Sequence, residues 1–282
     1  MVRLTPVSNP SQQLWRFAVL LAMASGLCGS WWLLQRQQAP VVLAPVVRDQ
    51  KRVEGTPAPP TQQEWLSPLQ RQCNNFDPVV VQRLRALATT LPRRMERLAI
   101  DPSNYGERMA LDAYGNHLDR TPSLVVLHET VYGIGSAINT FNTHHPHDHD
   151  QVSYHLLIGE DGRVVQTLDP AKRAYGAGYS AFKGRWDITN PDLAGSVNNF
   201  ALHLSLETPL DGEDNAPTHS GYSSAQYDAM AVVLSKWMQR YRIPYQHITT
   251  HRHVDLGLER ADPRSFDWQA LQTRLAALGV LC

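Results

Sequence analysis

The sequence predicts a mixed α/β fold, a central mixed β-sheet flanked by helices, from three observations. Leu124–Leu127 is a continuous apolar run, typical of a strand covered on both faces. Two apolar segments flank Glu160–Gly162, which is a hairpin turn sequence. A strand pattern at Ala201–Glu207 precedes two amphipathic helical patterns. Strand and helix patterns that alternate in this way indicate a sheet with helices packed on it.

The composition allows a large core and excludes several classes of protein. Hydrophobic residues make up 43% of the 282 residues, which excludes a fully disordered chain. Because 26 Lys and Arg balance 26 Asp and Glu, the chain lacks the basic excess of a dedicated nucleic-acid-binding protein. Three cysteines exclude a disulfide-dense small scaffold and a zinc site made of cysteines alone. Twelve histidines are unusual and need an explanation.

The first 63 residues predict a membrane segment followed by a linker. Phe17–Leu34 carries no formal charge, and at about 1.5 Å per residue a helix of this length just reaches across a bilayer core. Residues 1–36 are therefore expected to be an N-terminal membrane anchor. An uncleaved anchor is favoured over a cleaved signal because the apolar run is long. Residues 37–63 are rich in proline, which indicates an extended linker.

Residues 64–122 are expected to be a helical segment that packs on the following domain. Asp77-Pro78 precedes the helical pattern VVVQRLRALATTL, which we expect to end before Pro92. Cys73 and Cys282 lie near the two ends of the predicted folded part. In an oxidising compartment they could form a disulfide, and two independent thiols are an equal alternative, because two cysteines have no spacing signature.

Residues 123–282 are expected to form the main domain. Along Ala201–Glu207, leucines occupy one face of the predicted strand and polar residues the other. Ser223 and Gln226 make a capping box, which predicts the start of a helix. A last amphipathic helix is predicted to begin near Trp268.

Three histidine-containing regions are candidates for chemistry. His128 directly follows the buried strand, but a lone histidine there is more often structural. The short polar segment Asn142–Asp150 (NTHHPHDHD) indicates a solvated surface loop. In the third region His251 and His253 precede Asp262, which proline follows. Two imidazoles and one carboxylate can hold zinc and leave its fourth position for water.

Six ordered elements together resemble a known family. They are LVVLHET (124–130), QVSYHLLIGEDGRVVQTLD (151–169), RAYGAG (173–178), NNFALHLSLET (198–208), YSSAQYDAM (222–230) and ITTHRHVDLGLERADPRSFDW (248–268). In this order they resemble the zinc-dependent N-acetylmuramoyl-L-alanine amidase family, which has the amidase/peptidoglycan-recognition-protein (PGRP) fold. The resemblance covers about residues 100–280, nearly the whole predicted folded part.

The resemblance implies a zinc site made by His128, His251 and Asp262. The step from His251 to Asp262 is about one residue longer than is usual in the family, which leaves His253 as a minor competitor. His247 lies earlier in the approaching strand and is interpreted as structural.

The resemblance also implies candidates for the catalytic residues. Some family members place a proton-transferring glutamate where Ser205 stands here, with Glu207 two residues on; others use a tyrosine at the position of Tyr154. Tyr154 is favoured, and Glu207 is the second choice because a strand bulge could bring it into register. Arg260 stands where the family commonly has lysine, and a guanidinium is suited to an electrostatic role.

The implied reaction is hydrolysis of the amide between N-acetylmuramic acid and L-alanine in peptidoglycan or a muropeptide. The loop Tyr175–Asn190 matches the region that lines the family's substrate groove, so Lys183, Arg185 and Trp186 are expected to contact sugar or peptide. Two alternatives stay open: a non-catalytic peptidoglycan-binding module and a zinc peptidase acting on stem peptides. The protein is expected to be a monomer, held by Phe17–Leu34 with its domain outside the cytoplasmic membrane, in the periplasm or at the cell wall.

Overall fold

A six-stranded mixed β-sheet organises residues 52–282, the part of the chain that the computed structural model describes. The predicted anchor Phe17–Leu34 and the first part of the predicted linker lie outside these residues. None of the helices within residues 52–282 combines the length and the hydrophobicity needed to cross a lipid bilayer.

The central sheet has the strand order β1-β5-β4-β7-β3-β8. Neighbouring strands in it run parallel, except that β4 and β5 are antiparallel. A separate two-stranded antiparallel sheet pairs β2 with β6. The strands are β1 (Glu96–Arg97), β2 (Tyr105–Glu107), β3 (Leu124–Glu129), β4 (Leu156–Ile158), β5 (Val164–Gln166), β6 (Lys172–Ala174), β7 (Ala201–Leu206) and β8 (Ile248–Thr250).

Helices begin where the sequence places caps. The α-helices are α1 (Pro78–Arg94), α2 (Ile134–Asn142), α3 (Ser224–Tyr241), α4 (His251–Val254) and α5 (Trp268–Ala277). The predicted capping box is present in full at α3, where Ser223 and Gln226 each bond the other's backbone N–H. Asp77 caps α1 by accepting a hydrogen bond from the Val79 N–H. The hairpin around Glu160–Gly162 is confirmed as the β4–β5 connection.

Both faces of the central sheet are covered, as the apolar run at Leu124 predicted. On one face, leucines of β3 and β7 pack with α3, α5 and α1 in the largest core cluster. On the other face, Leu124 and Val126 pack with Phe182, Phe200 and Val254. All six residues of β7 are buried, so its polar face is also interior. Polar side chains on β7 therefore need partners inside the protein.

The helix α1 extends beyond the predicted end at Pro92 and stops at Arg94. Proline lacks the N–H that would bond the carbonyl four residues earlier, that of Ala88. The Ala88 carbonyl instead accepts a hydrogen bond from Lys236 Nζ at 3.2 Å. A contact from α3 thus replaces the missing helical bond, and the last turn persists.

A disulfide links Cys282 to Cys73, and the segment before Cys73 packs on the core. Cys73 and Cys282 form a disulfide, with their Cα atoms 4.9 Å apart, so of the two alternatives the disulfide is the one present. Residues 52–63, predicted as linker, pack on the body: Gln62 Nε2 donates to the carbonyls of Ala181 and His253. Proline-rich composition removes regular structure but does not prevent such side-chain anchoring.

Candidate metal centre and active site

Two parallel strands bring His128 and His251 to the same edge of the sheet. Leu127 on β3 is in register with Thr250, the last residue of β8. His128 is the next residue of β3, and His251 directly follows β8 as the first residue of α4. Carboxyl ends of parallel strands meet at one edge, which is where α/β proteins commonly place their sites. Asp262 reaches this edge from the loop after α4, and its carbonyl accepts a hydrogen bond of 2.9 Å from the Arg252 N–H.

The side chains of His128, His251 and Asp262 converge, with one ligand atom from each lying within 4.8 Å of the others. His251 Nδ1 lies 3.0 Å from Asp262 Oδ1, and His128 Nδ1 lies 3.3 Å from Asp262 Oδ2. The His128 ring is fully buried. The three residues therefore form the cluster that the resemblance implied.

The electrostatics of this cluster suit a cation. Burial lowers the pKa of His128 to about 4, so its imidazole is neutral at pH 7 and able to donate a lone pair. Burial alone would raise the pKa of Asp262, but its contacts with His128 and His251 outweigh burial and lower it. Within residues 52–282 the buried Nδ1 of His128 makes no hydrogen bond of good geometry, and Asp262 Oδ2 lies 3.3 Å from it. Such an orphaned atom, aimed at a carboxylate and a second imidazole, fits a metal ligand.

On the side away from the cluster, His128 contacts a second buried histidine. His128 Nε2 lies 2.9 Å from His203 Nδ1. The neighbouring His155 accepts a hydrogen bond from the His203 backbone N–H through Nδ1, at 3.0 Å. Burial lowers the pKa of His155 to about 3 and that of His203 well below its usual value. The chain His128–His203–His155 is thus neutral.

Tyr154 lies directly beside the cluster. Its ring stacks on His128 with the centroids 4.3 Å apart and packs edge-on against Phe141. It also lines the cavity in front of the cluster. Burial raises the pKa of Tyr154, so its hydroxyl keeps its proton at neutral pH and can donate a hydrogen bond.

Glu207, the second choice for proton transfer, is engaged elsewhere. Its Oε1 accepts from the Ile134 N–H at 2.7 Å, and its Oε2 accepts from the Glu160 N–H at 2.9 Å. It therefore fixes the start of α2 to the β4–β5 turn. Ser205, the position matched to the family glutamate, is fully buried directly opposite His128 in the register. No bulge interrupts the pairing of β3 with β7, so Glu207 keeps its position beyond Ser205.

A cavity of about 1170 Å³ opens in front of the cluster. Tyr154, His251, Asp262 and Arg260 line it. Arg260 is exposed, and its backbone N–H donates to Asp255 Oδ2 at 3.0 Å, which anchors its loop. The predicted cationic residue thus lies at the wall of the cavity.

The three predicted substrate contacts do not line this cavity. Trp186 is buried instead, where its ring packs so close to Gly195 that a Cβ there would lie 2.3 Å from the ring. Arg185 lies over the Phe200 ring at 3.9 Å. Lys183 is exposed in the turn between Phe182 and Arg185. The cavity is lined by neighbours of this segment, including Tyr179, Thr189 and Asn190.

Of the remaining candidate histidines, His253 and His247 lie outside the cluster, whereas part of the loop Asn142–Asp150 lines the cavity. His253 packs its ring 4.6 Å from that of Trp65 and does not join the cluster. His247 Nδ1 contacts the Ser123 carbonyl at 2.9 Å, which agrees with a structural role. The predicted surface loop Asn142–Asp150 reaches the cavity through Asp148, His149 and Asp150, so part of it is a cavity wall.

Sequence reasoning missed a buried carboxylate beside the cluster, Glu129. Its oxygens accept hydrogen bonds from Arg264 Nε at 2.5 Å, from His219 Nε2 at 3.0 Å and from the Tyr222 hydroxyl. The Arg264 guanidinium also donates to the carbonyls of residues 212, 214 and 216. Their positions in the sequence could have indicated this pair, because Glu129 directly follows the predicted ligand His128 and Arg264 comes two residues after the predicted ligand Asp262.

A sheet that presents two histidines and an aspartate at a large cavity defines a class of protein, a candidate metal-dependent hydrolase. The particular family follows from comparison with known proteins. The family model described as N-acetylmuramoyl-L-alanine amidase matches residues 118–265, more than half of the chain. The chain therefore belongs to the N-acetylmuramoyl-L-alanine amidase family, as the sequence elements indicated.

Several known proteins are similar to this chain. The 1,6-anhydro-N-acetylmuramyl-L-alanine amidase AmpD of Citrobacter freundii is 32% identical over 120 residues, which are 43% of this chain and 55% of AmpD. AmpD of Enterobacter cloacae is 33% identical over 129 residues, 45% of this chain and 59% of that protein. A crystal structure of a selenomethionine AmpD derivative aligns at 26% identity and a TM-score of 0.49, covering 64% of this chain and 94% of that one. The chain thus spans just over half the length of the curated relatives it matches.

Proposed function

We propose that this protein is a peptidoglycan amidase that hydrolyses the bond between N-acetylmuramic acid and the L-alanine of the stem peptide. The observation that carries the proposal is the convergence of His128, His251 and Asp262 at the cavity. Family membership and relatives named as N-acetylmuramyl-L-alanine amidases support this substrate class.

His128, His251 and Asp262 would hold Zn²⁺, since two imidazoles and a carboxylate are a common ligand set of catalytic zinc. When bound, zinc supplies a Lewis acid that activates water near neutral pH and polarises a carbonyl oxygen. Because His128 is neutral and Asp262 is ionised, the site needs no proton release from these two residues at pH 7.

The chain's own residues orient and stabilise the reacting groups. Tyr154 would donate its hydroxyl hydrogen bond to the oxygen that becomes negative during attack on the amide. Arg260 would add positive charge at the cavity wall. The hydrogen bonds that Glu207 already accepts favour Tyr154 over Glu207 for this role.

We further propose that the domain works outside the cytoplasmic membrane, in the periplasm or at the cell wall. The Cys73–Cys282 disulfide supports this location, because disulfides persist in oxidising compartments. Phe17–Leu34 would then serve as the membrane anchor. We also propose that the protein acts as a monomer; all three candidate ligands come from one chain, so this site does not need a second subunit.

Digestion of purified muropeptides, followed by mass spectrometry, tests the proposed reaction. Free muramyl sugar together with an intact stem peptide is the expected product pair. Shortened peptide would instead indicate a peptidase, and binding without any product would indicate a recognition module. Either result would overturn the proposal. Substrates with and without the 1,6-anhydro group would identify the preferred sugar.

Two histidines in one segment provide a matched pair of variants. His251→Ala removes a predicted ligand, so zinc content should fall to near zero and product should disappear. His253→Ala removes an imidazole two residues away that lies outside the cluster, and it should retain both zinc and activity. Equal zinc content in the two variants would refute the assignment.

A further inference from the structure

We propose that His203 is a positioning residue that holds His128 in the tautomer and orientation required for metal binding. The proposal rests on the proposed function, because it presumes that His128 is a metal ligand. The geometry behind it is direct: His128 Nε2 lies 2.9 Å from His203 Nδ1, and both rings are fully buried.

The direction of this hydrogen bond follows from the ligand atom. His128 presents Nδ1 to Asp262 Oδ2, which belongs to the same cluster as His251. A metal takes the lone pair of that nitrogen, so the one proton of the neutral ring must be on Nε2. Nε2–H then donates to Nδ1 of His203, which is the acceptor. Ligand histidines usually donate this proton to a carboxylate, a backbone carbonyl or water, and here a second imidazole occupies that place.

The backbone and a close neighbour hold His203 rigidly. Its backbone N–H donates to His155 Nδ1 at 3.0 Å, and its carbonyl accepts from the His155 N–H at 2.9 Å. The ring lies against Gly176, where a Cβ would come within 2.3 Å of His203 Nδ1. The close packing against Gly176 therefore limits the positions that the acceptor atom can take, as a preorganised site requires.

A purely structural role for His203 does not explain why an imidazole occupies this buried position. Burying an imidazole costs free energy unless its polar atoms are paired. His203 Nε2 is buried and has no hydrogen-bond partner in the part of the chain that the structure describes, so the contact with His128 is the one made by its ring nitrogens there. An apolar side chain would fill the same space without this cost. The contact with His128 is what the imidazole adds.

Two substitutions of His203 test separately the hydrogen-bond acceptor that its ring provides and the space that the ring fills. His203→Asn places an amide oxygen near the position of Nδ1, whereas His203→Leu fills the space without an acceptor. Zinc affinity is measured by competition with a chromophoric chelator. We expect His203→Leu to bind zinc about 10–100-fold more weakly than the wild type, and His203→Asn to stay within about threefold.

His247→Asn is the matched control, because it removes a partly buried imidazole that lies outside the cluster. Its zinc affinity should equal that of the wild type. An unchanged affinity in His203→Leu would overturn the proposal, and so would equal losses in the Asn and Leu variants.

A measurement on the wild type keeps the proposal testable if a variant does not fold. In zinc-loaded protein labelled with ¹⁵N-histidine, the proton of His203 should be on Nε2, and a scalar coupling across the hydrogen bond should link His128 Nε2 to His203 Nδ1. A proton on Nδ1 of His203 would refute the inference. If the wild type binds no zinc, the proposed function fails; if it binds zinc but His203 lacks these signatures, the inference alone fails.

Discussion

Arg264 is the positive charge that compensates the buried Glu129, and Arg264→Ala removes that charge while the carboxylate stays in place. The Arg264 side chain is 10% exposed and that of Glu129 5%, so water cannot easily take over the role of the guanidinium. Removing one partner of such a buried pair costs about 3–5 kcal/mol. The variant also loses the bonds that hold residues 212–216 beside the cavity.

The free energy of unfolding should therefore fall by about 3–5 kcal/mol, measured by urea denaturation at pH 7. For a body of this size that corresponds to a decrease of about 6–20 °C in the unfolding midpoint. Arg83→Ala is the matched control. Arg83 also pairs with a carboxylate, Asp228, but its side chain is 45% exposed and Arg274 remains as a second partner.

The control should lose no more than about 1 kcal/mol. If Arg264→Ala and Arg83→Ala cost the same, burial would not be what makes the Glu129 pair important. If Arg264→Ala cost less than about 1 kcal/mol, its guanidinium would not be compensating a buried charge at all.

Tyr154→Phe should lower the rate of amide hydrolysis about 10²–10³-fold and leave zinc content unchanged, because one preorganised donor is lost; an unchanged rate would exclude Tyr154 from the reaction. The Cys73–Cys282 disulfide closes a loop with a sequence separation of 209. Its reduction should lower the free energy of unfolding by up to about 5 kcal/mol and the unfolding midpoint by up to about 10–20 °C. A midpoint that reductant leaves unchanged would contradict this prediction. The unfolded chain protonates His155 below its ordinary pKa of 6.5, whereas the folded protein does so only near pH 3. The contribution of neutral His155 to the free energy of unfolding is therefore complete above pH 6.5 and is lost as the pH drops towards 3, by up to about 1.4 kcal/mol per pH unit. In urea unfolding curves, His155→Gln should make the free energy of unfolding less dependent on pH in this range.

Local patterns predicted local structure well. The capping box at Ser223, the turn at Glu160–Gly162 and the apolar strand at Leu124 each depend on residues close in sequence, and each is present. The end of α1 was different, because its last turn depends on Lys236 from another helix. Contacts of that kind leave no periodic trace in the sequence.

The site could be predicted only with the help of the family resemblance. His128 and His251 meet because β3 pairs with β8, a pairing between distant segments that composition and spacing do not reveal. Trp186 shows what the resemblance did not predict. An aromatic residue in a glycine-rich loop can line a groove or belong to the core, and the close packing of Trp186 against Gly195 places it in the core. His203 stands on the polar face of the alternating strand pattern Ala201–Glu207, and the role proposed for it depends on the burial of that face.

The bond between Cys73 and Cys282 turns nearly the whole described body into a covalent ring. A single peptide cleavage inside that ring, for instance at the exposed Leu210, would open the ring without releasing a fragment. On a non-reducing gel the nicked molecule would still run as a single species, and it would separate into two pieces only after the disulfide is reduced. For the same reason, new chain termini could be introduced at such a loop while the original ends stay joined.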